Sequence, residues 1–231
     1  MDQRREAGVF VGHTEGLTFI DSKGDGRYVL SNSKDQSMKL WDLRRMVDPK
    51  DFRAMSIEDY SSGFDYRVQR WDASRYQPNP ADCSVCEFRG HSVHKTLIRC
   101  HFSPRGSSNG RYVYSGSEDG RVVIWNLDGT IKDQIDVQDS SYQQRSDDMR
   151  AQRTRGYEWE TCVRDASWHP HAPLMAAVAW NGWEAGNGSV SLHSWEGEWY
   201  DERKDDEDEG TKEYEWSNQG INVDARLQTI G

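Results

Sequence analysis

Cysteine is scarce and scattered in this chain of 231 residues. Cys83, Cys86, Cys100 and Cys162 outline no disulfide framework, which points to a reducing compartment. Cys83 and Cys86 do form a CxxC, with His91 and His94 downstream. Only four residues separate Cys86 from His91, however, and the two histidines are three apart, too tight for paired zinc ligands. On an extended strand, residues i and i+3 also face opposite sides, so no metal site is expected. No uninterrupted apolar run is long enough to span a bilayer, and no apolar segment follows Met1 as a secretory signal would require. The expectation is a soluble intracellular chain of the nucleus and/or cytoplasm, with no membrane partner. Basic residues are outnumbered, 29 Lys and Arg against 39 Asp and Glu, for a net charge of −10. Eleven of those acids lie between Glu196 and Glu215 against Arg203, Lys204 and Lys212. Phosphate binding needs clustered Lys and Arg, so no nucleic-acid partner is expected either.

What is present is a repeat. Gly26–Leu43, GRYVLSNSKDQSMKLWDL, recurs as GRYVYSGSEDGRVVIWNL at Gly110–Leu127, with nine of eighteen positions identical and no gap. Each copy reads as two short strands joined by a tight Asp-bearing turn. Each follows a Gly-His pair, Gly12–His13 or Gly90–His91, and ends in Trp41–Asp42 or Trp125–Asn126. Gly-His, hairpin, Trp-Asp is the pattern of a WD-repeat blade, and the fold class is all-β, a WD-repeat β-propeller.

The recurring residue types have a common physical reason. A Trp buried on the third strand needs an acceptor for its indole N–H. A Ser on the second strand, the His before the first and the Asp of the turn can close a hydrogen-bonded chain to it. The first blade supplies His13, Ser31, Asp35 and Trp41, and the second His91, Ser115, Asp119 and Trp125. Such a set resembles a Ser/His/Asp catalytic triad. Its repetition argues for a structural tie, because a nucleophile is needed once and a tie in every blade. No catalytic residues, no cofactor and no enzyme are therefore expected.

At ~40–45 residues per blade a closed seven-bladed ring needs about 300 residues, so the propeller is read as partial. Its blades are about 13–89, 90–137 and 160–196, within a propeller region of 7–196. Ala7–Val11 (AGVFV) is read as the outer strand of a preceding blade. The chain is then either the C-terminal half of a longer protein or a truncated product that folds with a partner supplying the missing blades. Polar loops are inserted at about 45–81 and 138–158. Trp71–Asp72 in the first loop lacks the strands that would make it a blade end. The third blade has no Gly-His, has Ala177 or Ala179 in place of the Ser and lacks the tight Asp turn, so its Trp195 has no tie. From Gly197 to Gly231 the acidic, apolar-poor composition predicts a disordered tail.

Only the first blade continues as Trp41–Asp42–Leu43–Arg44; the second has Asn126 and Asp128 at the corresponding positions. Asp42 and Arg44 fall where the third strand leaves the sheet, with Arg44 free to take an acidic partner bidentately. The block His13–Arg45, with FDYRVQRW, RGHSVHKTLIRCHFSP and VRDASWHP, resembles the WD-repeat substrate receptors of cullin-4 RING ubiquitin ligases, of the WD repeat-containing protein 23 type. That resemblance covers roughly Gly12–Trp195. It implies a non-catalytic receptor that docks on the ligase's propeller adaptor through Asp35, Trp41, Asp42 and Arg44. Asp35 and Trp41 would hold the blade while Arg44 touches the adaptor, and protein substrates would be presented for ubiquitination and proteasomal degradation. The alternative is a generic WD-repeat scaffold with no ligase link. Arg164 and Asp165 form either a substrate-facing pair or an internal tie. Trp168, Trp180, Trp183 and Trp195 are read as core in preference to a peptide pocket.

Overall fold

The computed structural model describes residues 6–55, 65, 69, 71–93, 96–137, 161–181, 187–194 and 217–222. Three antiparallel four-stranded sheets succeed one another, each with its strands adjacent in chain order. The first holds β1 (Leu17–Ser22), β2 (Tyr28–Ser33), β3 (Met38–Asp42) and β4 (Cys86–Phe88). The second holds β5 (Cys100–Phe102), β6 (Tyr112–Gly116), β7 (Arg121–Asn126) and β8 (Ile131–Asp136). The third holds β9 (Thr161–Trp168), β10 (Leu174–Asn181), β11 (Asn187–Ser194) and β12 (Ser217–Asn222). Repeated four-stranded sheets of this kind are the blades of a β-propeller, here a partial one.

Side-chain alternation explains how the blades stack. Leu30, Met38, Leu40 and Phe88 of the first sheet form one core with Cys100, Val113, Val123 and Trp125 of the second. The intervening residues of the second sheet, Tyr112, Tyr114, Val122 and Ile124, pack on Val163, Ala166, Trp168, Met175, Ala177 and Ala179 of the third. Successive side chains point to opposite faces, so β6 and β7 are buried on both and carry near-continuous apolar runs. Each large side chain buried in this way stabilises the stack by about 1.5–3 kcal/mol. Gly116 lets the second and third blades meet closely, since a Cβ there would lie 2.4 Å from the Val163 carbonyl oxygen.

Several sequence expectations are corrected. Ala7–Val11 joins no sheet among the described residues: Val9 exchanges two 2.9 Å backbone hydrogen bonds with Val47, and the Val11 carbonyl accepts from Cys83 N. With backbone partners at Val47 and Cys83, this segment runs along the first blade. The 45–81 insertion is not uniformly loop. It contains a short helix, α1 (Pro49–Ala54), started by Asp48 accepting from Lys50 N and by proline in the first turn. The first strand of the second blade is short, and before it Arg99 N donates to the Arg164 carbonyl of the third blade while its own carbonyl accepts from Gly116 N. A second short helix, α2 (Arg105–Ser108), follows it. The acidic tail contributes β12, which pairs with β11 through Ser191↔Asn222, Leu192↔Ile221 and Ser194↔Ser217. The unpaired backbone edge of β11 supplies the ladder for that strand, a determinant that composition does not register. The 138–158 loop, Trp183, Trp195 and the rest of the tail lie outside the described residues.

Candidate functional site

The first blade closes its hydrogen-bonded chain. Trp41 Nε1 donates to Ser31 Oγ at 2.7 Å, Ser31 Oγ lies 2.7 Å from His13 Nε2, and His13 Nδ1 lies 2.8 Å from Asp35 Oδ2. With the ring hydrogen on Nδ1, Trp41, Ser31 and His13 each donate once, Asp35 accepts, and the chain runs in one direction from indole to carboxylate. Burial works against ionising Asp35, yet His13, the Ser37 hydroxyl at 2.6 Å and the Thr14 amide at 3.1 Å outweigh it and hold the carboxyl down at about 2. Phe10 stacks on Trp41 with ring centroids 5.1 Å apart. Gly12 makes room for this packing, since a Cβ there would lie 2.9 Å from the indole and 2.5 Å from Asp82 Oδ1.

The second blade does not close its chain, which corrects the symmetric expectation. His91 Nε2 pairs with Asn32 Oδ1 of the first blade at 2.8 Å, and Trp125 Nε1 donates to the Arg89 carbonyl at 3.0 Å. Ser115 Oγ donates to backbone oxygens of Arg99 and Gly116 and accepts from Asn32 Nδ2 at 3.3 Å. Asp119 pairs with Arg121. Two substitutions between the copies account for the change. Arg121 stands where Ser37 steadies Asp35, and it draws Asp119 outward. Asn32 stands where the second copy has Gly116, and its buried amide fills the space between the blades. The network thus becomes a tie between blades, and burial pushes His91 down to about 4. Gln36 makes a second such tie. It holds a left-handed backbone (φ 61°), as Gly120 does in the other copy, while its side-chain amide accepts from Val93 N at 2.7 Å and donates to Val93 O at 3.2 Å.

The rim beyond β3 is built on Asp42. Its carboxylate accepts from Arg44 N at 3.0 Å, Arg44 Nε at 3.1 Å and Arg44 Nη2 at 2.9 Å. Arg27 donates to the same group through Nε and Nη2, each at 3.0 Å. Arg44, together with its own amide and Arg27, holds Asp42 well below the usual carboxylate range. The Asp42 side chain is only 6% exposed, while those of Arg44 and Arg27 are 66% and 44% exposed. The structure thus separates the four docking candidates: Asp35 and Trp41 lie within the blade, and Asp42 presents Arg44 at its edge.

Asp165 and Arg164 part company. Arg164 is exposed, whereas Asp165 Oδ1 lies 2.8 Å from His101 Nε2 and Oδ2 accepts from Arg99 Nη1 at 3.2 Å. The other His101 nitrogen lies 3.7 Å from Asp21 Oδ2. Asp21, His101 and Asp165 therefore link β1, β5 and β9, the first strands of all three blades. Sequence reasoning missed this link, because three residues so far apart in the chain share no local pattern. Burial disfavours the charged ring, but Asp165 and Asp21 outweigh it and push His101 up to about 9. The clamp's contribution to stability is accordingly full below the ordinary histidine value of 6.5 and is lost as pH rises through about 9. Thermal unfolding of wild type and His101→Gln checks this: the wild-type advantage is expected at pH 6 and should vanish by pH 10. A pH-independent gap would rule out a charged clamp.

Among the described residues, no group of three or more His, Cys, Asp or Glu is arranged to hold a metal ion. Cys83 Sγ instead accepts from Val11 N at 3.4 Å. Trp168 is buried in the core between the second and third blades, and Trp180 is partly exposed. No helix among the described residues is long and apolar enough to cross a membrane.

Stacked four-stranded blades, the first closed by a Trp–Ser–His–Asp tie, are the arrangement of WD40 repeats, and the WD domain, G-beta repeat model matches residues 4–42 and 82–126. Named homologues cover most of the chain. The LEC14B protein of Lithospermum erythrorhizon is 40% identical over 179 residues, 77% of this chain and 33% of that protein. The DDB1- and CUL4-associated factor 11 homologs of Caenorhabditis elegans and Caenorhabditis briggsae are 38% and 35% identical over 176 residues, 76% of this chain and 27% and 28% of those proteins. The chain therefore spans about a third or less of the length of these curated relatives.

Proposed function

We propose that this chain is part of a non-catalytic substrate receptor of a cullin-4 RING ubiquitin ligase, and that it docks on the DDB1 adaptor through the rim carrying Arg44. The observation that carries the reading is the Asp42–Arg44 pair. The two repeat copies diverge there, the first presenting an exposed guanidinium held by a nearly buried carboxylate, in a chain whose relatives include proteins named for association with DDB1 and CUL4. A guanidinium held by a nearly buried carboxylate loses little further freedom when it meets an acidic surface. Ubiquitin transfer then depends on proximity: a captured protein held beside the conjugating machinery has a high effective concentration. On this reading the chain acts in the nucleus or cytoplasm, in keeping with its four free cysteines.

Binding of purified DDB1 to wild type and to Arg44→Ala tests the reading. Wild type is expected to bind, and the variant to lose about ten-fold or more in affinity, the size of a guanidinium hot spot. The outcomes that sink it are absence of wild-type binding or an undiminished variant.

A further inference from the structure

We propose that Arg27 is the second arm of the docking rim: Arg27 and Arg44 together grip carboxylates on an acidic protein surface, while Asp42 is the strut between them. This rests on the adaptor-docking reading above and adds a contact that lies outside the Trp-Asp-x-Arg motif. Asp42 engages each guanidinium along one edge, the one bearing Nε and Nη2. Each arginine carries five N–H donors in a planar fork, so the Nη1 side of both remains to be shared with a partner. Arg27 is fixed at two further points. Its Cζ stands 4.6 Å from the Tyr28 ring centroid, and its carbonyl accepts from Leu43 N at 2.8 Å. That backbone bond spans the strand pair that sets Tyr28 opposite Asp42, so the fold itself brings position 27 beside the exit of β3.

Charge identifies the kind of partner. Lys23, Arg27, Arg44 and Arg45 stand at this end of the blade against Asp25 and Asp42, a local net of +2 in a chain of net −10. An acidic protein surface complements that rim.

The second blade supplies an internal control. Arg111 occupies the position of Arg27, but Asn126 replaces Asp42 and donates to Thr130 Oγ1 at 2.9 Å. Arg111 Nε turns to the Ser108 carbonyl at 3.2 Å, and Asp128, where Arg44 would be, accepts from Thr130. An arginine before the second strand is thus common to both copies, and in the first it meets Asp42, which also holds Arg44.

The test measures purified DDB1 binding by wild type, Arg27→Ala, Arg27→Lys, Arg44→Ala and Arg111→Ala at low and high salt, with thermal unfolding of each. The expected result is that Arg27→Ala weakens binding by about ten-fold or more, as Arg44→Ala does, and flattens the salt dependence. Arg27→Lys should recover only part of this, because a single ammonium cannot hold Asp42 and a partner carboxylate at once. Arg111→Ala should bind as wild type does. Wild-type affinity and salt dependence in Arg27→Ala, with Arg44→Ala impaired, would overturn the role of Arg27 and leave the docking reading standing. Absence of binding by wild type would overturn the docking reading, and the role of Arg27 with it. Binding loss that tracks a fall in thermal midpoint and is fully restored in Arg27→Lys would make Arg27 a structural residue and also overturn the proposal.

Discussion

Trp41→Ala is expected to destabilise the folded chain by about 3–5 kcal/mol, the usual cost of emptying a fully packed aromatic site. Trp41 is 2% exposed, stacked on Phe10 and met edge-on by His13 at 5.6 Å between ring centroids. Removing the ring opens a cavity beside a buried polar chain and leaves Ser31 and His13 without their terminal donor. Trp41→Phe separates the two contributions, because it keeps most of the packing and removes only the N–H to Ser31. Its cost should be nearer 1 kcal/mol for the hydrogen bond, plus a smaller packing loss. Equilibrium urea unfolding provides the check, with a midpoint shift at unchanged slope reporting stability alone. Equal midpoints for the two variants would mean that packing around the indole is not what holds the blade. Since Asp42 and Arg44 follow Trp41 directly, the alanine variant is also expected to weaken adaptor binding.

Removing both counter-ions of Lys39 should have an effect of similar size. The Lys39 side chain is fully buried, with Nζ 2.5 Å from Asp82 Oδ2 and 2.6 Å from Glu87 Oε2. Burial alone would lower its pKa, but the two carboxylates outweigh that and raise it. Asp82→Asn combined with Glu87→Gln leaves an ammonium inside the protein without an opposite charge, at a cost of about 3–5 kcal/mol. Either single change should cost much less, because one partner remains. The double variant also carries a pH signature. Its unpaired lysine binds a proton more weakly when folded than when unfolded, so stability is regained as pH rises toward about 10. Urea unfolding at pH 7 and pH 9.5, with Lys39→Met added as a rescue, tests this. A double variant as stable as wild type would show that water, not Asp82 and Glu87, satisfies Lys39. Because Asp82 directly follows the 45–81 insertion, the same ion cluster anchors the end of that insertion to the blade, and the double variant should make it more susceptible to protease.

The triad-like set in each repeat illustrates how far local reading reaches. Residue types and spacing were enough to place His13, Ser31, Asp35 and Trp41 in one chain, because all four belong to a single blade whose strand register follows from alternation. The same logic misplaced His91, Ser115 and Asp119. The cue was in the alignment of the copies: Asn32 against Gly116, and Ser37 against Arg121. Its meaning depended on the neighbouring blade, since Asn32 has no reason to be polar until His91 and Ser115 are brought to it. Arg27 escapes local reading for a related reason. An arginine shared with Arg111 looks like a repeat residue, and only pairing across β2 and β3 brings it to Asp42. Arg164 and Asp165 are neighbours in the chain, yet at a register shift of β9 against β10 Arg164 stays exposed while Asp165 is taken up by His101 and Arg99.

The sequence by itself determined the all-β class, the WD repeat, the two-stranded hairpin of each copy and the Trp-Asp-x-Arg motif. Each of these is written in contacts of short range: alternation along a strand, a turn between two strands, a histidine a fixed distance ahead of a hairpin. Tertiary structure alone decided which polar groups meet between blades. It set Asn32 on His91 and His101 between Asp21 and Asp165; within the first blade, pairing across the sheet set Lys39 between Asp82 and Glu87 and Arg27 beside Arg44. The physical reason is that a buried donor or charge takes whichever partner the packing of neighbouring sheets delivers, and that choice is made by the stacking of three blades, not by spacing along the chain.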